Sequence, residues 1–117
     1  MPVQRIRVSK VSDFQSKNPR TFDLGKNREG LIVFWKNQYF AYLNVCCHRP
    51  LPLDYGDGRF FSADGKYLLC QNHGAQYDPA TGVCVSGPCQ GARLSSFKVI
   101  VEKSWVWVEV ENLELRA

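Results

Sequence analysis

Histidine is almost missing from these 117 residues: two are present, beside five cysteines and a single methionine. If both histidines serve one site, little general-base chemistry is left for any other. No run of about 18 or more apolar residues occurs, which excludes a membrane-spanning helix. The start, Met1-Pro2-Val3-Gln4-Arg5-Ile6-Arg7-Val8, has no apolar stretch followed by small residues and so does not read as a secretory signal. Low-complexity segments, long linkers and internal repeats are lacking too. These absences predict a cytoplasmic protein with no membrane partner, folded as one domain over residues 1–117. In a reducing compartment an odd number of cysteines points to metal ligands or free thiols rather than to a disulfide framework.

The net charge of +4 is unevenly spread. Residues 1–40 hold eight lysines and arginines against Asp13, Asp23 and Glu29, an excess of +5, so the other 77 residues carry −1. These cations are scattered singly among apolar residues and no aromatic-basic motif accompanies them. They read as a solvated surface, and no nucleic-acid partner is expected.

Short apolar runs separated by turn residues dominate, and no segment sustains a 3.6-residue apolar period, which predicts an all-β fold. Ile6 and Val8 alternate with arginines in a first strand. Four hairpins follow. Residues 31–35 and 39–45 flank Lys36-Asn37-Gln38; residues 60–61 and 67–69 flank Ala63-Asp64-Gly65-Lys66, whose Asp-Gly pair supplies positive φ. Residues 75–77 and 83–85 flank 78–82, and residues 97–101 and 105–110 flank 102–104. In the last strand Val106, Val108 and Val110 share one face and Trp105 and Trp107 the other. The three tryptophans are expected in the core, and a short helix between Val11 and Asn18 is allowed until Pro19.

The chemistry concentrates in two places. Cys46-Cys47-His48 follows one strand, and Cys70-Gln71-Asn72-His73 follows another, so each histidine stands two or three residues after a cysteine. A Cys-x-His turn does not easily wrap one ion with both side chains and leave room for a second loop, but it can present its two ligands to two neighbouring metals. Side by side, such loops place both thiolates on one iron and both imidazoles on another, the ligation of a Rieske centre. Structural zinc is the alternative, although the familiar finger pairs its cysteines in one knuckle and its histidines in another.

Over roughly residues 44–110 the sequence resembles the Rieske ferredoxin family. The family pattern is met by Cys46-x-His48, Cys70-x-x-His73-Gly74, Tyr77-Asp78, Thr81-Gly82 and Gly87-Pro88. The resemblance implies an antiparallel β sandwich with a small cluster-binding subdomain, approximately 44–90, made of two ligand loops and a Gly-Pro loop. It implies one [2Fe-2S] cluster held by Cys46, His48, Cys70 and His73. Around it, Gly74 permits close approach or an unusual backbone angle, Gly87 and Pro88 form a stiff third loop, and Tyr77 directs its hydroxyl towards a cysteine sulfur. Pro50 to Leu53 form an apolar rim after His48 or shield the cluster from water, and residues 54–59 form a surface loop or a docking element.

Departures from the family are informative. Rieske proteins of the cytochrome bc type carry a disulfide between their ligand loops; the corresponding stretches here have no cysteine, which places the chain in the disulfide-free branch. Cys47 is the free middle position of its loop, and Cys84 and Cys89 are expected as small core hydrophobes. Ala75 replaces a serine that those proteins aim at a bridging sulfur. A potential in the lower part of the roughly −150 to +300 mV Rieske range is therefore implied.

Both histidines being taken, no substrate pocket or catalytic triad can be assembled. The reading is a non-enzymatic, soluble one-electron carrier between a flavin reductase and an oxygenase or other acceptor. A Rieske-like small subunit of a larger reductase, such as nitrite reductase, and a zinc-stabilised binding module are the alternatives.

Overall fold

In the computed structural model, residues 3–14, 19–25, 28–46, 52–54, 59–71 and 74–111 are described. The chain is all-β and antiparallel, and divides into two compact units: residues 1–43 with 96–117, and residues 44–95. No helix among the described residues is long and apolar enough to cross a membrane.

The first unit contains β1 (Val3–Lys10), β2 (Arg20–Gly25), β3 (Arg28–Trp35), β4 (Gln38–Leu43), β8 (Ser96–Glu102) and β9 (Trp105–Glu111), in the sheet order β1-β9-β8-β4-β3-β2. Period-two alternation builds its core. Val106, Val108 and Val110 of β9 meet Ile32 of β3, Ala41 of β4, Phe97 of β8, and Phe22 and Leu24 of β2. Ile6 and Val8 of β1 pack on the same cluster, so strands from both ends of the order share one core.

Two hairpins are tighter than their sequences suggest. Lys36 and Asn37 (φ 48° and 67°) join β3 to β4, and Lys103 and Ser104 (φ 51° and 69°) join β8 to β9. Paired positive φ values mark two-residue turns whose twist matches the strands, although neither has the glycine that normally advertises them.

Three expectations need correction. The helix allowed between Val11 and Asn18 is one 3₁₀ turn, Val11–Phe14, anchored where Lys10 N–H donates to Asp13 Oδ2 (3.0 Å); residues 15–18 lie outside those described. Strand β2 went unforeseen because its apolar signal is only Phe22 and Leu24. Trp35, Trp105 and Trp107 are half-buried rather than core; Arg7 lies 4.3 Å above the Trp105 ring, so a cation covers that face.

Phe22 pairs with Gly30 across β2 and β3, and its ring occupies the space of the absent side chain: a Cβ at Gly30 would lie 2.6 Å from Phe22 Cε1.

The second unit contains β5 (Leu68–Leu69), β6 (Gln76–Tyr77) and β7 (Cys84–Ser86) as one small sheet in that order. The Ala63–Lys66 turn is closed by Ser62 N–H donating to Tyr67 O (2.8 Å). Asp64 accepts from the Ser62 hydroxyl (2.6 Å) and from Lys66 N–H (3.0 Å). These bonds, the hydroxyl first, hold its carboxyl below the ordinary value of 3.8.

Gly30→Val should destabilise the protein by about 1–3 kcal/mol through forced displacement of Phe22, read by denaturant unfolding; an unchanged midpoint would show that the ring swings aside freely. Asp64 binds its proton less readily folded than unfolded. Its small contribution to stability is therefore present above pH 3.8 and lost as pH falls through the depressed folded value. In an NMR titration Ser62→Ala should move the Asp64 midpoint upward, and no movement would remove the hydroxyl as the cause.

Candidate metal centre

Cys46 stands three residues beyond β4 and Cys70 directly after β5. Neither is in a disulfide, and they are exposed by only 2% and 0%. His48, His73 and Cys47 lie outside the described residues, as do Pro50 and Leu51, and among the described residues no group of three or more ligating side chains gathers.

The first loop is closed at its neck by a side chain. Asn44 Oδ1 accepts the Leu53 N–H at 2.8 Å, and Asn44 Nδ2 donates to Asp54 Oδ1 at 3.3 Å. Leu53 then donates nothing further but accepts: its carbonyl takes the Gln71 N–H at 2.7 Å. Gln71 follows Cys70, so one residue of the first loop is bonded to both the entry of its own loop and the start of the second. Gln71 Nε2 also donates to Arg59 O at 3.2 Å.

The second loop closes through its backbone. Cys70 N–H donates to Ala75 O (2.8 Å) and Gly74 N–H returns to Cys70 O (2.9 Å). Gly74 has φ +77° with nothing within 4 Å of a hypothetical Cβ, so the glycine is required by its backbone angle rather than by crowding. The turn after Tyr77 is held by Asp78 N–H to Val83 O (2.9 Å) and Ala80 N–H to Asp78 Oδ1 (2.8 Å).

Gly87 shows the opposite case. Its φ is +112°, and a Cβ there would stand 2.8 Å from Ala75 Cα. The Gly-Pro loop therefore rests its backbone directly against the end of the second loop, with Pro88 exposed beside it.

Tyr77 is fully buried on β6, and its hydroxyl lies 3.4 Å from Cys46 Sγ and 3.8 Å from Cys89 Sγ. Cys84 is a buried free thiol that donates to Ser86 O at 3.3 Å. Cys89 is disulfide-bonded, which corrects the expectation of a small core hydrophobe in a disulfide-free chain. The turn after Pro88 brings the Cys89 sulfur to Tyr77 and to within 4.0 Å of Cys84 Sγ, a proximity that spacing along the chain does not reveal.

The apolar rim also needs revision. Leu53 is 0% exposed and serves the loop neck, leaving Pro52 as the exposed described member. Asp54, at one end of the supposed surface loop, is buried against Asn44, and Tyr55 to Gly58 lie outside the described residues. Asn44 and Leu53 are the residues that sequence reasoning missed; a polar residue two positions before Cys46 was the available signal.

Two buried thiols suit a metal, since a coordinated thiol is deprotonated and its charge is balanced by the cation. The Tyr77 hydroxyl offers a donor to one such sulfur. The described half of the site fits a cluster held partly by cysteine.

The profile of the family described as "Rieske [2Fe-2S] domain" matches residues 4–108. No curated protein sequence matches the chain. Among solved structures, the ferredoxin of carbazole 1,9a-dioxygenase from Nocardioides aromaticivorans IC177 is 25% identical, with a TM-score of 0.71 over 90% of this chain and 96% of that one. A chain of the complex of reduced oxygenase and oxidized ferredoxin in carbazole 1,9a-dioxygenase is 26% identical, with a TM-score of 0.73 over 89% and 91%. The Sphingomonas yanoikuyae B1 ferredoxin, 24% identical over 92% and 100% with a TM-score of 0.73, shares the fold.

Gly87→Ala and Gly91→Ala both force alanine into positive φ, but a Cβ at Gly91 meets nothing within 4 Å. Gly87→Ala should cost about 1–3 kcal/mol more in thermal unfolding, the cost of displacing Ala75; equal losses would show that the two loops do not bear on each other.

Proposed function

This chain belongs to the Rieske [2Fe-2S] domain family, and from that premise we propose that it is a one-electron carrier, a ferredoxin rather than an enzyme. The observation that carries the reading is the pair of buried cysteines outside any disulfide, Cys46 and Cys70, on loops joined by the Leu53–Gln71 backbone bond. Cys46 and Cys70 would hold one iron of such a cluster, and His48 and His73 are the residues proposed for the other. When bound, a [2Fe-2S] cluster takes up and releases one electron, at a potential that histidine ligation raises above that of all-cysteine clusters.

The chain's own residues set the conditions for this. Burial of both thiols keeps water from the sulfurs. With Cys46 deprotonated on a metal, the Tyr77 hydroxyl 3.4 Å away would be the donor to Sγ, which favours the more negative, reduced state. Ala75, fully buried, has no hydroxyl to add a second such donor. Two of the structures it resembles come from carbazole 1,9a-dioxygenase systems, which supports an oxygenase as electron acceptor; a flavin reductase is the donor proposed to complete the chain. The same resemblance supports a soluble protein, for which the cytoplasm is the proposed compartment.

Metal and sulfide analysis should find two irons and two sulfides per chain, with an EPR signal appearing on anaerobic reduction; about one zinc per chain and no signal would overturn the reading. The midpoint potential should lie in the lower part of the roughly −150 to +300 mV range. Tyr77→Phe should lower it by roughly 40 mV, the one-electron equivalent of about 1 kcal/mol of lost hydrogen bonding. An unchanged potential would show that the hydroxyl does not reach the cluster's electrons.

A further inference from the structure

We propose that Asn44 is a positioning residue for the cluster: it sets the neck of the first ligand loop and, through Leu53, the distance between Cys46 and Cys70. The inference rests on the cluster assignment above and adds a residue that the ligand motif does not contain. Asn44 is 3% exposed, a polar side chain inside the second unit, and both ends of its amide are engaged. Oδ1 accepts from Leu53 N–H at 2.8 Å and Nδ2 donates to Asp54 Oδ1 at 3.3 Å. Leu53 passes the constraint on through its carbonyl to Gln71 N–H at 2.7 Å.

The covalent distances are short at both ends. Asn44 precedes Cys46 by two residues, and Gln71 follows Cys70 by one. Two hydrogen bonds and three peptide steps therefore connect one thiol-bearing segment to the other without any metal, and the Asn44–Asp54 bond fixes the amide between them. Side-chain amides suit this place because one group must accept from a backbone N–H and donate to a carboxylate at once. A hydroxyl or carboxylate at position 44 meets only part of that demand. Such a network holds ligands in place before loading and lowers the reorganisation needed when the cluster's charge changes.

The test uses Asn44→Asp and the double variant Asn44→Asp/Asp54→Asn. The single change keeps an acceptor for Leu53 but sets two carboxylates against each other. The double change restores an amide–carboxylate pair with the roles exchanged. Hydrogen exchange by mass spectrometry on the protein as purified should show peptides spanning 52–54 and 69–71 exchanging about tenfold faster in N44D, with β9 around Val108 unchanged. Iron content per chain should fall in N44D, and the EPR g values of the remaining clusters should shift. The double variant should recover all three readings. Wild-type exchange in N44D, equal acceleration in β9, or no recovery in the double variant would overturn the proposal. If the wild-type protein holds zinc instead of iron and sulfide, the cluster assignment fails by itself, while the exchange data still judge whether Asn44 ties the loops.

Discussion

A backbone bond, Gln71 N–H to Leu53 O at 2.7 Å, joins the two segments on which the chemistry depends. Cys46 and Cys70 lie on loops without regular secondary structure, and a buried loop must satisfy its polar groups with something other than a sheet ladder. Here the partners are each other and one side-chain amide. Asn44 closes the first loop, the Cys70–Ala75 pair closes the second, and Leu53 connects them. The thiols can be buried to 2% and 0% because the surrounding backbone is already bonded.

Around that bond, the second unit is organised by what glycine allows. Gly74 provides a backbone angle and Gly87 a close approach, two different physical needs met by the same residue type in neighbouring loops. Tyr77 then has a fixed position on β6 from which its hydroxyl lies near the sulfurs of Cys46 and Cys89. The first unit has a different logic, that of alternating strands wrapped on one apolar cluster, with turns as short as two residues.

Legibility followed the range of the interaction. The hairpins over β3–β4 and β8–β9 were readable because alternation and turn composition are local. The Cys-x-His and Cys-x-x-His-Gly pattern was readable because its residues stand two or three positions apart. Strand β2 was not readable: two apolar residues after a proline are too few to distinguish from a loop, and what makes Arg20–Gly25 a strand is the ladder that β3 offers it. The tryptophans were misread for a related reason, since alternation assigns a residue to a face but not a cover to that face.

The sequence by itself determined the all-β class, the hairpin positions and the two cysteine–histidine segments with their family resemblance, because each is set by residue types a few positions apart. Only the tertiary structure decided that Asn44 closes the first loop, that Leu53 is a tie rather than a rim, that the cysteine sulfur which the Tyr77 hydroxyl meets at 3.4 Å is that of Cys46, and that Cys89 is disulfide-bonded. Those are contacts between groups distant along the chain, and no local preference specifies them; they exist only once the loops are folded against one another.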